Sequence, residues 1–341
     1  MDPSALNIER SEALLAYLCT MHRIPPTESP TISVLKGGVS NRTVLVERPT
    51  GECWVLKQAL PKLRTQADWF SDPARIEREA AGLQWLSRIA PSGSITPLCF
   101  TDFDHHLLCM QAVPTPHENW KSLLLAGRIS EDHVTQFGSL LGIIHRRGRE
   151  LSHETACLFD DRSFFESLRI EPYYDYTASQ VPAAGPFLDQ LVTDTRARRL
   201  TVVHGDYSPK NVLIHKQQLV LLDHEVIHFG DPAFDVGFAM AHFLSKAHHL
   251  PQHRPAFAAA ATRFWTAYTS EFVAASEKND ICVRHSLGCL LARVAGRSPL
   301  EYLDWEEREQ QKRVVVELMQ RPPGSIEALA QEFVQRIDQC P

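Results

Sequence analysis

A chain of 341 residues has room for two lobes, each with its own core. Its net charge of −6, with 44% apolar and 22% charged residues, offers no clustered basic face for nucleic acid. No apolar run approaches the roughly 18 residues of a membrane span. The eight cysteines show no C-x-x-C spacing, and Met1-Asp2-Pro3-Ser4 lacks the basic-then-apolar pattern of a signal peptide. The expectation is a cytoplasmic protein with mostly buried, reduced thiols.

Residues 9–22 read as an amphipathic helix with Leu14, Leu15 and Leu18 on one face, ended by Pro25, Pro26 and Pro30. Antiparallel strands follow over 31–60. Ile32 to Leu35 and Thr43 to Val46 flank Lys36-Gly37-Gly38-Val39-Ser40-Asn41, and a turn at Pro49-Thr50-Gly51 leads into Cys53-Trp54-Val55-Leu56-Lys57. A glycine pair between strands lets backbone N–H groups close over a phosphate, although two glycines also suffice for a plain turn. Lys57 ends an apolar strand and needs a partner. The helix predicted over 73–88 carries a stripe of Ile76, Ala80, Leu83 and Leu86, and offers Glu77 or Glu79 as that partner. The strand Leu107 to Val113 stops at Pro114-x-Pro116. This divides an N-terminal lobe, 1–113, from a C-terminal lobe, 114–341, and places a nucleotide-base pocket at Met110, Gln111 and Val113.

From residue 117 the pattern turns helical, with periodic segments at 131–147, 235–250, 254–272, 282–294 and 325–338. Segment 151–200 is aromatic-rich without a clear period. Within this half, Val202-Val203-His204-Gly205-Asp206-Tyr207-Ser208-Pro209-Lys210-Asn211-Val212-Leu213-Ile214 sets a polar loop between two apolar strands, and Leu219 to Leu222 runs into Asp223-His224-Glu225. Oxygen ligands at loop edges suit a hard cation such as Mg²⁺, and Asp206 is placed to act on a hydroxyl proton. The order Asp, Asn, strand-end Asp follows the phosphoryl-transfer template, which makes Asp206 catalytic and Asn211, Asp223 and Glu225 metal ligands. Asp231 and Asp235 open the next helix and read as braces for the loop. Seven residues from Asp223 to Gly230 leave no room for a peptide-docking activation segment, so the acceptor is a small molecule.

His242, His248, His249 and His253 lack metal-motif spacing, and His105-His106 reads as a surface turn. Arg293 and Arg297 lie in a polar insert, where they end a helix or reach the acceptor; Tyr302 and Trp305 stack on a sugar or simply pack.

H-G-D-x-x-x-x-N at 204–211, L-L-D-H-E at 221–225 and G-D-P-x-x-D at 230–235 resemble the aminoglycoside phosphotransferase and choline kinase superfamily. Lys57-Gln58-Ala59-Leu60-Pro61, Arg64, the run Ala74 to Ala80 and Gly38-x-x-Asn41 are similar to the 5-methylthioribose kinases. Asn211 departs from them, standing where they carry a Ser-type residue. The E-x-x-x-x-x-W-L run from Glu79 to Leu86 resembles the superfamily's αC signature and favours Glu79 over Glu77. The resemblance implies an α+β, bilobal protein-kinase-like fold, with a small antiparallel-sheet lobe and a larger, mainly helical one. It implies ATP and Mg²⁺ as cofactors, with Gly37, Gly38, Ser40, Asn41, Lys57 and Glu79 on the nucleotide. It also implies a small-molecule acceptor such as a 5-modified ribose, and a monomer or homodimer with no nucleic-acid or membrane partner. An aminoglycoside or amino-alcohol acceptor, met by Glu301, Asp304, Glu306, Glu307 and Glu309, is the rival; a nucleotide-binding pseudokinase is another.

Overall fold

The computed structural model describes residues 6–35, 38–64 and 69–339, the side chains of 276–278 excepted. Alternating apolar residues build five antiparallel strands: β1 (Thr31–Val34), β2 (Asn41–Glu47), β3 (Cys53–Ala59), β4 (Leu98–Asp102) and β5 (Leu107–Gln111). Their order in the sheet is β1-β2-β3-β5-β4. Side chains alternate across a strand, so Val44, Val46, Trp54, Leu56, Leu107 and Cys109 share one face. That face is buried together with Leu14, Tyr17 and Leu18 of α1 (Ser11–Thr20). The opposite face of β3 presents Val55 and Lys57 toward α2 (Arg75–Ile89). In α2, Ile76, Glu79, Ala80, Leu83 and Leu86 form the buried stripe, while Glu77 is exposed. Helical spacing therefore points Glu79 at Lys57.

After β6 (His117–Asn119) come α3 (Trp120–Leu125), α4 (Glu131–Glu150), α5 (Ser152–Phe159) and α6 (Ser163–Phe165). A π-helical stretch, Glu166–Asp175, then leads to α7 (Tyr176–Gln180) and α8 (Gly185–Ala197). Two small antiparallel ribbons hold the polar loop. One pairs β7 (Thr201–Val203) with β10 (His228–Gly230), and the other sets β8 (Val212–His215) between β6 and β9 (Gln218–Leu221). The remainder is α9 (Ala233–His249), α10 (Arg254–Glu271), α11 (Asn279–Ala295), α12 (Trp305–Gln320) and α13 (Ile326–Gln339). Among the described residues, no helix is long and apolar enough to cross a membrane.

Three features differ from the sequence reading. The strand before Pro114 stops at Gln111. Helix α12 was not anticipated, although its buried residues Gln311, Val314, Val315, Leu318 and Met319 follow the i, i+3, i+4, i+7, i+8 spacing of a helix. Cys109, Cys282 and Cys289 are buried free thiols, whereas Cys99 and Cys157 are exposed.

Candidate active site

The polar loop leaves β7 through a sharp turn. Gly205 has φ +78°, and a Cβ there would lie 2.9 Å from the Val226 carbonyl oxygen, so the position suits glycine alone. Asp235, in the first turn of α9, accepts the N–H groups of His204 at 2.7 Å and Gly205 at 2.8 Å. His145 of α4 meets the same carboxylate at 3.2 Å. Tyr207 stacks on Phe137 with ring centroids 4.2 Å apart and donates its hydroxyl to the Phe137 carbonyl. These contacts fix the backbone on either side of Asp206. Its Oδ2 accepts from Asn211 Nδ2 at 2.9 Å, Lys210 Nζ at 2.9 Å and Arg169 Nη2 at 3.1 Å. Its Oδ1 is buried with no partner. Burial would raise this carboxyl, but the Lys210 and Arg169 cations hold it below the ordinary carboxylate range.

His204 accepts the Asp206 N–H on Nδ1, at 3.2 Å, which puts its proton on Nε2. That proton faces His224 Nδ1 at 3.1 Å, so both rings are neutral, and burial pushes both imidazoles down. His228, stacked on Phe165 with centroids 3.9 Å apart, is lowered by burial to about 4. A native state that prefers neutral histidine is fully stabilised above the unfolded value near 6.5 and loses stability as the pH falls toward the native one. Denaturant midpoints should therefore drop between pH 6.5 and 4, with His228 alone contributing on the order of 3 kcal/mol below that window. His228→Asn should flatten the profile; a parallel profile for the variant would remove His228 as a source.

Asp223 follows β9 with φ +68°, a left-handed conformation that costs a residue with a side chain ~1–2 kcal/mol and occurs where a side chain must be aimed. Lys57 Nζ lies 2.6 Å from Glu79 Oε1 and 2.9 Å from Asp223 Oδ1. Burial opposes ionisation of Asp223, yet Lys57 and Lys210 hold its carboxyl well below the ordinary range. Burial raises Glu79, with Asp223 and Glu225 adding to the effect. Oxygens of Glu79, Asp223 and Glu225 lie within 4.8 Å of one another. The second Glu79 oxygen and Asn41 Oδ1 are buried without partners. An all-oxygen set with spare acceptors fits a hard divalent cation. Glu225 also accepts from Asn41 Nδ2 at 3.3 Å and from Arg75 Nε at 3.2 Å. Arg75 is fully buried, and its remaining N–H groups bond the carbonyls of Ser40, Leu60, Ser71 and Asp72. One arginine thus ties the turn before β2, the end of β3 and the start of α2 to the acidic pair.

Other predicted residues lie elsewhere or do other work. Gly38 is exposed and Ser40 buried, while Gly37 lies outside the described residues. Met110 is buried with its sulfur on the Thr96 hydroxyl; the N–H groups of Gln111 and Ala112 bond Pro97 and Cys53 carbonyls, and Val113 is buried just beyond. Arg297 pairs with Glu171 at 2.7 Å and lies over Tyr176, whereas Arg293 is bonded to Tyr173 and Ser298. His248 bonds Gln310 and His249 pairs with Glu307. Trp305 is exposed, and Tyr302 packs beside His249. The sequence reading missed Arg169, Lys210 and Arg75. Lys210 stood inside the motif itself, and Arg169 was a lone cation in an aromatic run; Arg75 carried no local signal.

A methylthioribose kinase of Pectobacterium atrosepticum is 26% identical over 266 residues, 66% of this chain and 64% of its own. The chain thus spans just under two thirds of that relative's length. An ethanolamine kinase structure from Plasmodium vivax shares the fold with a TM-score of 0.57 at 10% identity, covering 91% of this chain and 89% of its own. An amicoumacin kinase bound to AMP-PNP and Ca²⁺ gives 0.54 at 13% identity, covering 92% and 97%. The fold is the bilobal protein-kinase-like one, a small antiparallel-sheet lobe on a mainly helical lobe. The model of the phosphotransferase enzyme family, APH, matches residues 31–274, and the chain belongs to that family.

Proposed function

We propose that this chain transfers a phosphoryl group from ATP to a hydroxyl of a small molecule, with a pentose-type sugar such as a 5-modified ribose as acceptor. The observation that carries this reading is Asp206, which has one oxygen held by Arg169, Lys210 and Asn211 and the other buried and free. The free oxygen suits a hydroxyl proton. A carboxylate held below its ordinary range is a weak base, so Asp206 orients the hydroxyl and takes its proton late, as the phosphoryl group arrives. Lys57, fixed by Glu79, steadies the nucleotide phosphates, and Lys210 neutralises charge at the transferring group. Asn211, Asp223 and Glu225 would hold Mg²⁺, which when bound neutralises the phosphates. The lobes divide after Val113, with Gly38, Ser40, Asn41, Met110, Gln111 and Val113 on the nucleotide side. The chain acts as a monomer or homodimer without a nucleic-acid or membrane partner.

The methylthioribose kinase similarity supports the sugar. A polycationic acceptor would need free carboxylates, and four of the five candidates are engaged, Glu306 being the exposed exception. Glu301 pairs with Lys121, Asp304 and Glu307 form the capping box of α12, and Glu309 pairs with Lys312. A coupled ADP-release screen across pentoses, 5-modified riboses, amino alcohols and aminoglycosides tests the reading. A sugar should exceed the amines at least 10-fold in kcat/KM and require a divalent cation. A preferred amine would replace the sugar, and failure to bind ATP would end the kinase reading.

A further inference from the structure

Beyond Asp206, the helical lobe holds a buried polar cluster that the phosphoryl chemistry leaves unused. Arg169, 3.1 Å from Asp206, lies over the rings of Tyr173 and Phe238, with its guanidinium carbon 5.6 and 5.7 Å from their centroids. Arg293 of α11 covers Tyr173 from another side and bonds its hydroxyl at 2.9 Å. On α9, Phe238, His242 and Lys246 follow at four-residue spacing and so share a face, with the His242 ring 5.3 Å from Phe238. Lys246 is fully buried; its Nζ donates to the His242 carbonyl at 3.2 Å and lies 5.3 Å from the Tyr302 ring.

Charge in this cluster is not balanced. Among the described residues, neither Lys246 nor Arg293 has a carboxylate within ion-pair distance. Glu301, an acid whose charge acts on both, is already paired with Lys121 of α3. Burial, then the neighbouring Lys121 and Arg293 cations, push the Lys246 ammonium down to about 7 against the pull of Glu301. Three further polar atoms here are buried without any partner: His242 Nε2, Arg293 Nε and the Tyr302 hydroxyl. Buried polar groups are nearly always bonded, and an unpaired buried cation is costly, so a set of mostly donor groups at one place calls for a ligand rich in acceptors.

We propose that the acceptor carries an acidic group, a carboxylate or a phosphate, which seats among Arg293, Lys246, His242 and Tyr302 while its hydroxyl lies at Asp206. This rests on the phosphotransferase reading and narrows it from a sugar to a sugar-like acid. It also predicts that amines are poor acceptors, since a polycation would meet Arg169, Lys210, Lys246 and Arg293.

The test fills the nucleotide site with MgAMP-PNP and titrates D-ribose, D-ribonate and D-ribose 5-phosphate by calorimetry. At least one anion should bind 10-fold or more tighter than ribose, and the better of the two identifies carboxylate or phosphate. Lys246→Met and, separately, Arg293→Gln should each cut that anion-to-ribose ratio by at least 10-fold, so one folded variant suffices. Lys246→Met should also raise the unfolding midpoint of the acceptor-free chain, since it removes a buried ammonium that has no counter-charge. Anions binding no better than ribose, or a ratio that neither variant moves, overturns the proposal while MgAMP-PNP binding leaves the kinase reading standing. Loss of MgAMP-PNP binding in the native chain overturns both.

Discussion

Asp206→Ala should lower turnover by on the order of 100-fold or more while MgATP still binds. The carboxylate does two jobs that its surroundings make separable. Its Oδ2 gathers Arg169, Lys210 and Asn211, and its Oδ1, buried and unpartnered, is the oxygen proposed to take the acceptor hydroxyl. Alanine removes both, whereas the nucleotide contacts assigned to Lys57 and Glu79 come from β3 and α2 and stay in place. Arg169 would then be a buried cation without its counter-charge, a change of the kind that costs about 3–5 kcal/mol in a core. Lys210 is half-exposed and can turn to water. The variant should therefore be less stable as well as inactive, which Tm and nucleotide titration measure alongside kcat. Near-normal kcat in a folded variant would take Asp206 out of the chemistry.

The second large effect is expected 29 residues further on, at Asp235. Asp235→Ala should destabilise the chain by about 3–5 kcal/mol. Asp235 is fully buried and accepts two consecutive backbone N–H groups, those of His204 and Gly205, as well as His145. Its removal leaves those N–H groups without acceptors in a loop that has no strand neighbour to supply one. Gly205, at φ +78°, is the turn those two bonds define, so the aim of Asp206 goes with it. At low temperature, where the variant is still folded, kcat should fall further than the affinity for nucleotide. An unfolding free energy within about 0.5 kcal/mol of the native chain's would show that the carboxylate only decorates the start of α9.

The sequence was legible where the chemistry is local. Asp206 and Asn211 are five residues apart, and β9 runs straight into Asp223 and Glu225; short spacing around two apolar strands restricts what such a loop can be. The helical stripe of α2 was equally readable, and it decides between Glu77 and Glu79 because only the latter lies on the buried side. Reading failed where side chains act across the fold. Arg169 reaches Asp206 from a π-helical stretch whose aromatic pattern has no 3.6-residue period. Arg75 is one cation among several on α2 until the structure shows it fully buried against Glu225 and four carbonyls. Arg297, a candidate for the acceptor, is paired instead with Glu171.

By itself, then, the sequence determined the lobes, the polar loop with its acids, and the lysine that faces them, because strand alternation, helix spacing and turn chemistry are properties of neighbouring residues. Only the tertiary structure decided which cations surround Asp206, how the acidic pair is tied to the sheet, and that Lys246 and Arg293 are buried without counter-charges. Those facts depend on which distant segments share an interior and on how much water is left between them. Burial of that kind has no period along the chain.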